Sequence, residues 1–136
     1  MKKVLYRLFV NGIPKAQPRP RLTANGHVYN PGTADSWKQE VMAAFLPCRK
    51  KAITEPVRFQ VSFFFLAPKN MKDVIGKRKC IPHVVKPDAD NLVKSTLDSL
   101  TDIGIWKDDA LVYSISADKW YTNKSPGALI TIATGF

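Results

Sequence analysis

Alternation of apolar and polar residues predicts a strand between residues 57 and 65. An apolar side chain occupies every second position, and three of the four positions between them are polar. Because successive side chains of a strand point to opposite faces, this strand has one buried, mainly aromatic face. Phe64 is the apolar exception on the second face, and it predicts that a helix or another subunit covers that side. The alternating apolar residues are Val57, Phe59, Val61, Phe63 and Phe65.

Shorter apolar runs predict three further strands, bounded by residues that favour turns. These strands cover residues 4–10, 111–121 and 128–133. Thr23-Ala-Asn-Gly26 predicts a tight hairpin that leads into residues 27–29, since glycine and asparagine favour turns.

Thr33 begins the first predicted helix, which runs to about Leu46 and ends at Pro47. The Thr33 side chain is the expected N-cap, because its oxygen can accept a hydrogen bond from a free backbone N–H. Helical spacing predicts a buried face made of Trp37, Val41, Ala44 and Phe45.

Pro87 sets the start of the second predicted helix, because proline disfavours a helical conformation at Lys86. Asp88 or Asp90 can then cap the first turn, and Gly104 is the expected end. The predicted buried face consists of Val93, Leu97 and Leu100, with Leu92 and Thr96 at its edge.

These elements predict one α+β domain over residues 1–136. We expect a mixed sheet of four or five strands with the two helices packed on it. Residues 67–87 show no clear periodicity and are predicted to form a long, basic loop. Our hypothesis is that this loop is mobile without DNA and becomes ordered when DNA binds.

The charge of the chain indicates a polyanionic partner. The net charge is +10 and the pI is about 9.8, which points most simply to nucleic acid. No run of about 18 apolar residues could cross a bilayer, and no amphipathic basic helix points to a membrane surface. We therefore expect a cytoplasmic protein with no membrane partner.

Two basic segments, residues 14–32 and residues 67–87, supply the candidate DNA-binding side chains. Phosphate contact requires little more than accessible cations, which favours DNA contact by segment 14–32 over the alternative of a solvated connection. The same two alternatives stay open for the basic run at residues 49–51. The candidate DNA-binding residues are Lys15, Arg19, Arg21, Lys77, Arg78, Lys79 and Lys86.

Acidic residues are concentrated in residues 88–109. This stretch holds six of the eleven acids and two lysines, a net charge of −4, which leaves +14 for the rest of the chain. Such a cluster repels itself unless a cation neutralises it, and Mg²⁺ prefers oxygen ligands. The six acids are Asp88, Asp90, Asp98, Asp102, Asp108 and Asp109, and the two lysines are Lys94 and Lys107.

Asp90, Lys94 and Asp98 are spaced four residues apart and form one charged stripe on the helix. Carboxylates at the helix start, together with the pair at 108–109 before the next strand, could hold one or two Mg²⁺ ions. Such ions activate water and stabilise charge on a phosphate, and Lys94 would add a positive charge there. The alternative is that the aspartates cap the helix and the Asp–Lys pair is a solvated salt bridge.

A longer motif runs through the same stretch: Pro87-Asp88-Ala-Asp90-Asn91-Leu92-x-Lys94, followed by Asp98-x-Leu100 and Trp106-Lys-Asp108-Asp109. This pattern resembles the RusA-type Holliday junction resolvases, the crossover junction endodeoxyribonucleases of bacteria and their phages. The resemblance implies a catalytic set of Asp88, Asp90, Lys94 and Asp109. It also implies that Asp88, Asp90 and Asp109 bind the metal, with Asp108 as a further candidate ligand.

The resemblance further implies a homodimer that cuts four-way DNA junctions by paired symmetric nicks and leaves 5′-phosphate ends, in DNA recombination and repair. Mg²⁺ is the implied cofactor, with Mn²⁺ as a candidate substitute. We expect the carboxyl groups of Asp88, Asp90 and Asp109 to converge within a few ångströms, close enough to share an ion. Two rivals remain: a non-catalytic basic nucleic-acid-binding protein, and a related nuclease that prefers other branched DNA.

Overall fold

The computed structural model describes residues 2–18, 21–29, 32–77 and 81–135, and its centre is a five-stranded mixed sheet. In chain order the strands are β1 (Lys3–Asn11), β2 (Arg21–Leu22), β3 (Val28–Tyr29), β4 (Val57–Leu66), β5 (Ile81–Pro82), β6 (Val112–Thr122) and β7 (Gly127–Thr134). The sheet has the order β1-β7-β4-β6-β5; β4 and β6 are parallel, and the other neighbours are antiparallel. Strands β2 and β3 form a separate hairpin, as the turn signal predicted.

The described residues also form three α-helices and four short 3₁₀ turns. The helices are α1 (Asp35–Phe45), α2 (Lys72–Lys77) and α3 (Ala89–Asp102). The turns are Gly32–Ala34, Leu46–Cys48, Lys69–Met71 and Asp109–Leu111. The predicted α+β class and the mixed sheet are confirmed, and α2 is a helix that the sequence did not predict.

The core lies between one face of the sheet and the helices α1 and α3. Phe59 and Phe63 of β4 are fully buried there, as their alternation predicted. The Trp37 ring of α1 meets Phe63 edge-on at 6.5 Å between centroids, and the Trp106 ring meets Phe59 at 6.4 Å. Because burial of one such side chain contributes about 1.5–3 kcal/mol, these rings hold α1 and the segment after α3 on the sheet.

The second face of the sheet is mainly polar, and Phe64 is one of its aromatic residues. The Phe64 ring is half-buried and lies 6.2 Å from the ring of Phe9 on β1. Both rings line a cavity of about 790 Å³ that is also bordered by Ile75 and Gly76 of α2. Helix α2 therefore borders Phe64. The sequence had predicted that either a helix or another subunit covers this side of the sheet.

The predicted N-cap of α1 is wrong. Thr33 lies inside the 3₁₀ turn Gly32–Ala34, so the N-cap position falls on Ala34, which makes no side-chain capping bond. At the other end α1 stops at Phe45, and Pro47 lies within the following 3₁₀ turn. Proline is tolerated there because the first residues of a helical turn need no N–H acceptor.

The prediction of one long loop over residues 67–87 is also wrong. This segment contains the turn Lys69–Met71, helix α2 and strand β5. Three of its side chains, Ala67, Ile75 and His83, are buried, so packing against the rest of the domain gives structure to a stretch with little periodicity. Ordering of this segment on DNA binding stays a prediction.

The longest helix in the described part of the chain is α3, with 14 residues. None of the helices there is long and apolar enough to cross a membrane.

Candidate active site

The acidic motif begins where an extended segment turns into α3. Asp88 occupies the N-cap position with extended backbone angles, and its carbonyl accepts the first helical hydrogen bond, from Leu92 N at 3.1 Å. The Asp88 carboxylate makes no capping bond, and among the described residues Asp90 Oδ1 accepts only from the neighbouring Asn91 N at 3.0 Å. The predicted side-chain cap is therefore wrong for Asp88, and both carboxylates are exposed.

Two of the three residues of the predicted buried face of α3, Val93 and Leu100, are buried, whereas Leu97 is only half-buried. The face extends further toward Leu92 and Thr96, which were predicted at its edge and are fully buried. Small polar residues can be buried here because their hydroxyls are satisfied. Thr96 Oγ1 accepts from Trp37 Nε1 at 3.0 Å and donates to the Leu92 carbonyl at 2.9 Å. Counting only apolar residues underestimates a face of this kind.

The charged stripe of α3 consequently borders an open groove between α3 and β6. Asp90, Lys94 and Asp98 line this groove, and Asp109 reaches it from the 3₁₀ turn before β6. Its volume is about 470 Å³, and part of its wall is apolar, including Ile115 of β6. We call it the Asp90 groove. The structure thus brings three predicted catalytic residues, Asp90, Lys94 and Asp109, to one groove.

Asp108 has a different place from its neighbour Asp109. Its Oδ1 accepts from Ala110 N at 2.8 Å and so caps the turn Asp109–Leu111. Asp108 does not line the Asp90 groove, so its visible contribution is to hold the turn from which Asp109 projects.

Asp88 lies in a neighbouring groove, which we call the Asp88 groove. That groove has a volume of about 730 Å³ and is shared with Gln17, Lys86 and Asn91. Among the described residues, no group of three or more acidic, histidine or cysteine side chains is close enough to hold a metal ion. The predicted convergence of Asp88 with Asp90 and Asp109 is thus not formed in this structure, and the ligand assignment stays a prediction.

Asp98 shows that the groove is electrostatically coupled. Partial burial raises the pKa of Asp98, and the negative charges of Asp102 and Asp109 add to this effect. The positive charges of Lys38 and Lys94 act in the opposite direction. Because burial disfavours the charged form, Asp98 holds its negative charge less firmly than an exposed aspartate.

Comparison with known protein families shows the family of this chain. Residues 11–133 match the family model of the endodeoxyribonuclease RusA. The chain belongs to the RusA family. It is therefore an endodeoxyribonuclease, a hydrolase, and the non-catalytic rival loses its support. No curated protein matches the chain.

The carboxylates of this RusA-family protein suit a hard divalent cation. Mg²⁺ takes oxygen ligands, binds through one or two carboxylates and keeps several waters. Asp90 and Asp109 offer two carboxylates on one groove, and Asp88 offers a third from the adjoining groove. This donor set fits Mg²⁺ or Mn²⁺ better than a soft metal, which would prefer sulfur or imidazole ligands.

The basic segment after β1 is attached directly to α3. Ser95 Oγ donates to the Lys15 carbonyl at 2.6 Å, and Gln17 N donates to the Asn91 carbonyl at 3.0 Å. The exposed Lys15 is thereby fixed relative to α3. Exposed Lys86 lines the Asp88 groove.

The side chains of the other five predicted DNA-binding residues lie outside what the structure describes. Arg19, Arg78 and Lys79 lie outside the described residues, and Arg21 and Lys77 are described only by their backbone, in β2 and at the end of α2.

In the basic run at 49–51, Lys50 has a structural role. Its backbone N donates to the Tyr6 hydroxyl at 2.8 Å, and its Nζ donates to the Leu5 carbonyl at 3.3 Å.

Sequence reasoning missed Lys119 on β6. Its ammonium donates to two backbone carbonyls in the segment that leads to Asp88, those of Val85 at 2.8 Å and Pro87 at 2.7 Å. Burial, together with the nearby Lys119 charge, lowers the pKa of His83 below its usual 6.5. No local pattern distinguishes Lys119 from a surface lysine, because its partners lie more than 30 positions away in the chain.

Proposed function

We propose that this RusA-family enzyme is a Mg²⁺-dependent endonuclease that resolves Holliday junctions by paired symmetric nicks. The observation that carries the proposal is the Asp90 groove, where carboxylates from α3 and from the turn before β6 flank an exposed lysine. A net charge of +10 around this acidic groove favours a polyanionic substrate.

In this proposal the groove carboxylates bind the ion and the lysine acts on the phosphate. Asp90 and Asp109 would hold Mg²⁺, with Asp88 as a third ligand from the adjoining groove. The bound ion would lower the pKa of a water and neutralise charge on the phosphate. Lys94 would stabilise the negative charge that develops on the phosphate oxygens.

The overall reaction is hydrolysis of one phosphodiester bond in each of two strands. The oxygen of water forms a bond to phosphorus, and the bond between phosphorus and the 3′ oxygen breaks. The leaving oxygen takes up a proton, and the products are a 3′-hydroxyl and a 5′-phosphate. These ends are the substrates of a DNA ligase, which suits a role in recombination and repair.

The proposal includes a homodimer that acts in the cytoplasm. A four-way junction presents two symmetric strands for cutting, and a two-fold dimer would present two equivalent active sites. Lys15 and Lys86 would contact DNA phosphates on either side of the catalytic helix, since both are exposed near its start.

The test uses an end-labelled synthetic four-way junction and a linear duplex of matching sequence. We expect symmetric nicks in the junction with Mg²⁺ or Mn²⁺, none with a chelator, and little cutting of the duplex. Light scattering of the free protein measures whether it is a dimer. Equal cutting of junction and duplex, or preferential cutting of a flap, would reject junction resolution while leaving the endonuclease activity in place.

A further inference from the structure

Lys119 binds the backbone of the segment that precedes Asp88. This lysine is half-buried on β6, opposite Phe63 of β4. Its Nζ lies 2.8 Å from the Val85 carbonyl oxygen and 2.7 Å from that of Pro87. Two of the three ammonium N–H groups are thus used within two residues of the chain, and the second acceptor belongs to the peptide group that Pro87 shares with Asp88.

The backbone of the same lysine holds the other end of this segment. His83 N donates to the Lys119 carbonyl at 3.0 Å. The His83 ring is stacked on Phe65, with 4.3 Å between centroids, and lies 4.7 Å from the Tyr121 ring. The chain is therefore fixed at His83 by the sheet and at Pro87 by the Lys119 side chain.

The residues between these two points have little packing of their own. Val84 is 84% exposed and Val85 is 57% exposed. Within the described part of the chain, the Lys119 ammonium makes the only hydrogen bonds to backbone groups of residues 84–87. Without it, the next fixed point after His83 would be the Asp88 carbonyl, which accepts from Leu92 N.

We propose that Lys119 is a positioning residue that fixes the Pro87–Asp88 peptide group and thereby places the Asp88 carboxylate relative to Asp90. The catalytic consequence rests on the function proposed above, whereas the mechanical role does not. Lys119 differs in this respect from Lys94, which is exposed and forms no hydrogen bond or ion pair among the described residues. Charge-assisted bonds to backbone carbonyls are short and strong, so their loss releases the segment.

The experiment compares Lys119→Met and Lys119→Arg with the parent. Lys124→Met is the matched control, because it removes an exposed lysine from the turn after the same strand. Backbone ¹⁵N relaxation measures the order of Val85, Lys86 and Asp88 without DNA or metal. Single-turnover cleavage of a bound four-way junction measures the chemical step, and junction binding in chelator measures affinity.

We expect Lys119→Met to lower the order parameters of these three amides from about 0.85 to below about 0.6. Single-turnover cleavage should slow by about tenfold or more, the effect of losing a charge-assisted hydrogen bond. Junction affinity should stay within about threefold, because no phosphate contact is removed. Lys119→Arg should recover part of both losses, since its fork can still donate to a carbonyl. The control should change neither quantity.

Two results would overturn the inference. One is a Lys119→Met protein whose order parameters at Val85 and Asp88 stay at the rigid value of about 0.85. The other is increased motion with unchanged single-turnover cleavage. If the parent cleaves no junction, the proposed function is wrong, yet the relaxation data still support or overturn the mechanical role. Lys119→Leu, which likewise removes every N–H donor of the side chain, replaces the Met variant if that variant does not fold.

Discussion

One face of α3 packs against α1 and the sheet, and the other borders the groove that contains Asp90, Lys94 and Asp98. On the packed face, Thr96 accepts from Trp37 Nε1 and donates to the helix backbone. Ser99 Oγ likewise donates to the Thr96 carbonyl at 2.7 Å. Every hydroxyl of this face has a partner inside the protein, as burial requires.

The groove face has charged groups without such partners. Asp90 makes one local bond, to Asn91 N, and the Lys94 ammonium makes no hydrogen bond or ion pair among the described residues. The difference between the two faces shows that α3 carries its packing contacts on one side and its exposed charged groups on the other. The packed face fixes the helix, and the groove face leaves Asp90 and Lys94 exposed, which the proposed function assigns to a cation and a phosphate. Substitutions on the groove face should therefore change the cleavage rate, and substitutions on the packed face should change the free energy of unfolding.

The largest expected effect is on the groove face, at Asp90. Asp90→Asn removes a charge but little volume. Loss of a metal ligand costs several kcal/mol of transition-state stabilisation, so single-turnover cleavage should fall by about 10³-fold or more. Junction binding in chelator should be unchanged or tighter, because repulsion between carboxylate and phosphate is relieved. The melting temperature should be unaffected, since Asp90 is exposed.

Asp102→Asn is the control for this change. It removes an equal charge from an exposed residue at the other end of α3. It should leave cleavage close to that of the parent. Full cleavage by Asp90→Asn would show that the chemistry lies elsewhere or that a contaminating nuclease cuts the DNA.

Lys94→Ala is expected to have the next largest effect. A lysine that only offsets nearby carboxylates contributes about 0.3–0.5 kcal/mol. Loss of a group that stabilises charge in the transition state costs about 10²–10³ in rate, by analogy with lost oxyanion donors. We expect Lys94→Ala to fold, to bind junctions and to cleave at least about a hundredfold more slowly.

Single-turnover rates with saturating enzyme separate these two roles of Lys94. Lys94→Arg should restore only part of the rate, because a planar fork does not replace a compact ammonium. An Ala variant that cleaves within about threefold of the parent would make Lys94 an ordinary surface lysine of the groove face.

The sheet was the most predictable part of the fold, because its signal is local. The alternation from Val57 to Phe65 gave the position and the buried face of β4, and the apolar runs gave β1, β6 and β7 within one or two residues. The short elements α2 and β5 were missed. Ile75 of α2 and His83, which directly follows β5, are buried by distant partners, which no short window of sequence contains.

The site was predicted unevenly for the same physical reason. The spacing of Asp90, Lys94 and Asp98 correctly placed them on one stripe, because a helix fixes such positions. Asp88 lies one residue before α3, in an extended segment held from β6 by Lys119, and helical spacing says nothing about its direction. The buried face is wider than the predicted one because Thr96 and Ser99 pack as satisfied hydroxyls, which apolar periodicity does not count.

The packed face is tested by Thr96→Val, with a smaller expected effect. This change leaves the buried Trp37 indole N–H without its acceptor at 3.0 Å. An unsatisfied buried donor costs about 1–3 kcal/mol, so the free energy of unfolding in urea should fall by that amount. Single-turnover cleavage by the folded protein should stay close to that of the parent.

Thr33→Val is the matched control for Thr96→Val. Its hydroxyl is exposed and makes no capping bond, so its removal should change the free energy of unfolding little. If Thr96→Val were as stable as the parent but cleaved much more slowly, the division between the two faces would be wrong.

The smallest effect is expected at Asp98, the half-buried member of the groove stripe. Burial raises the pKa of Asp98 above its ordinary value of 3.8, while Lys38 and Lys94 partly oppose the shift. Between the ordinary and the raised pKa, the folded protein binds more protons at this site than the unfolded chain does. Stability from this group therefore decreases as the pH rises through that interval.

Asp98→Asn removes this titration and leaves an uncharged side chain at the same position of the groove. Below pH 3.8 the two proteins should be equally stable, because Asp98 is then protonated in both the folded and the unfolded parent. At higher pH the variant should be the more stable one, by less than about 1 kcal/mol, since solvent screens a half-exposed charge. Urea unfolding at a series of pH values in chelator measures the free energy of unfolding of both proteins. Taking the difference between parent and variant at each pH cancels the titration of the groups that the two proteins share. A parent that gains stability over Asp98→Asn as the pH rises would mean that attraction to Lys38 and Lys94 outweighs burial, and Asp98 would then belong with the exposed charges of the groove face.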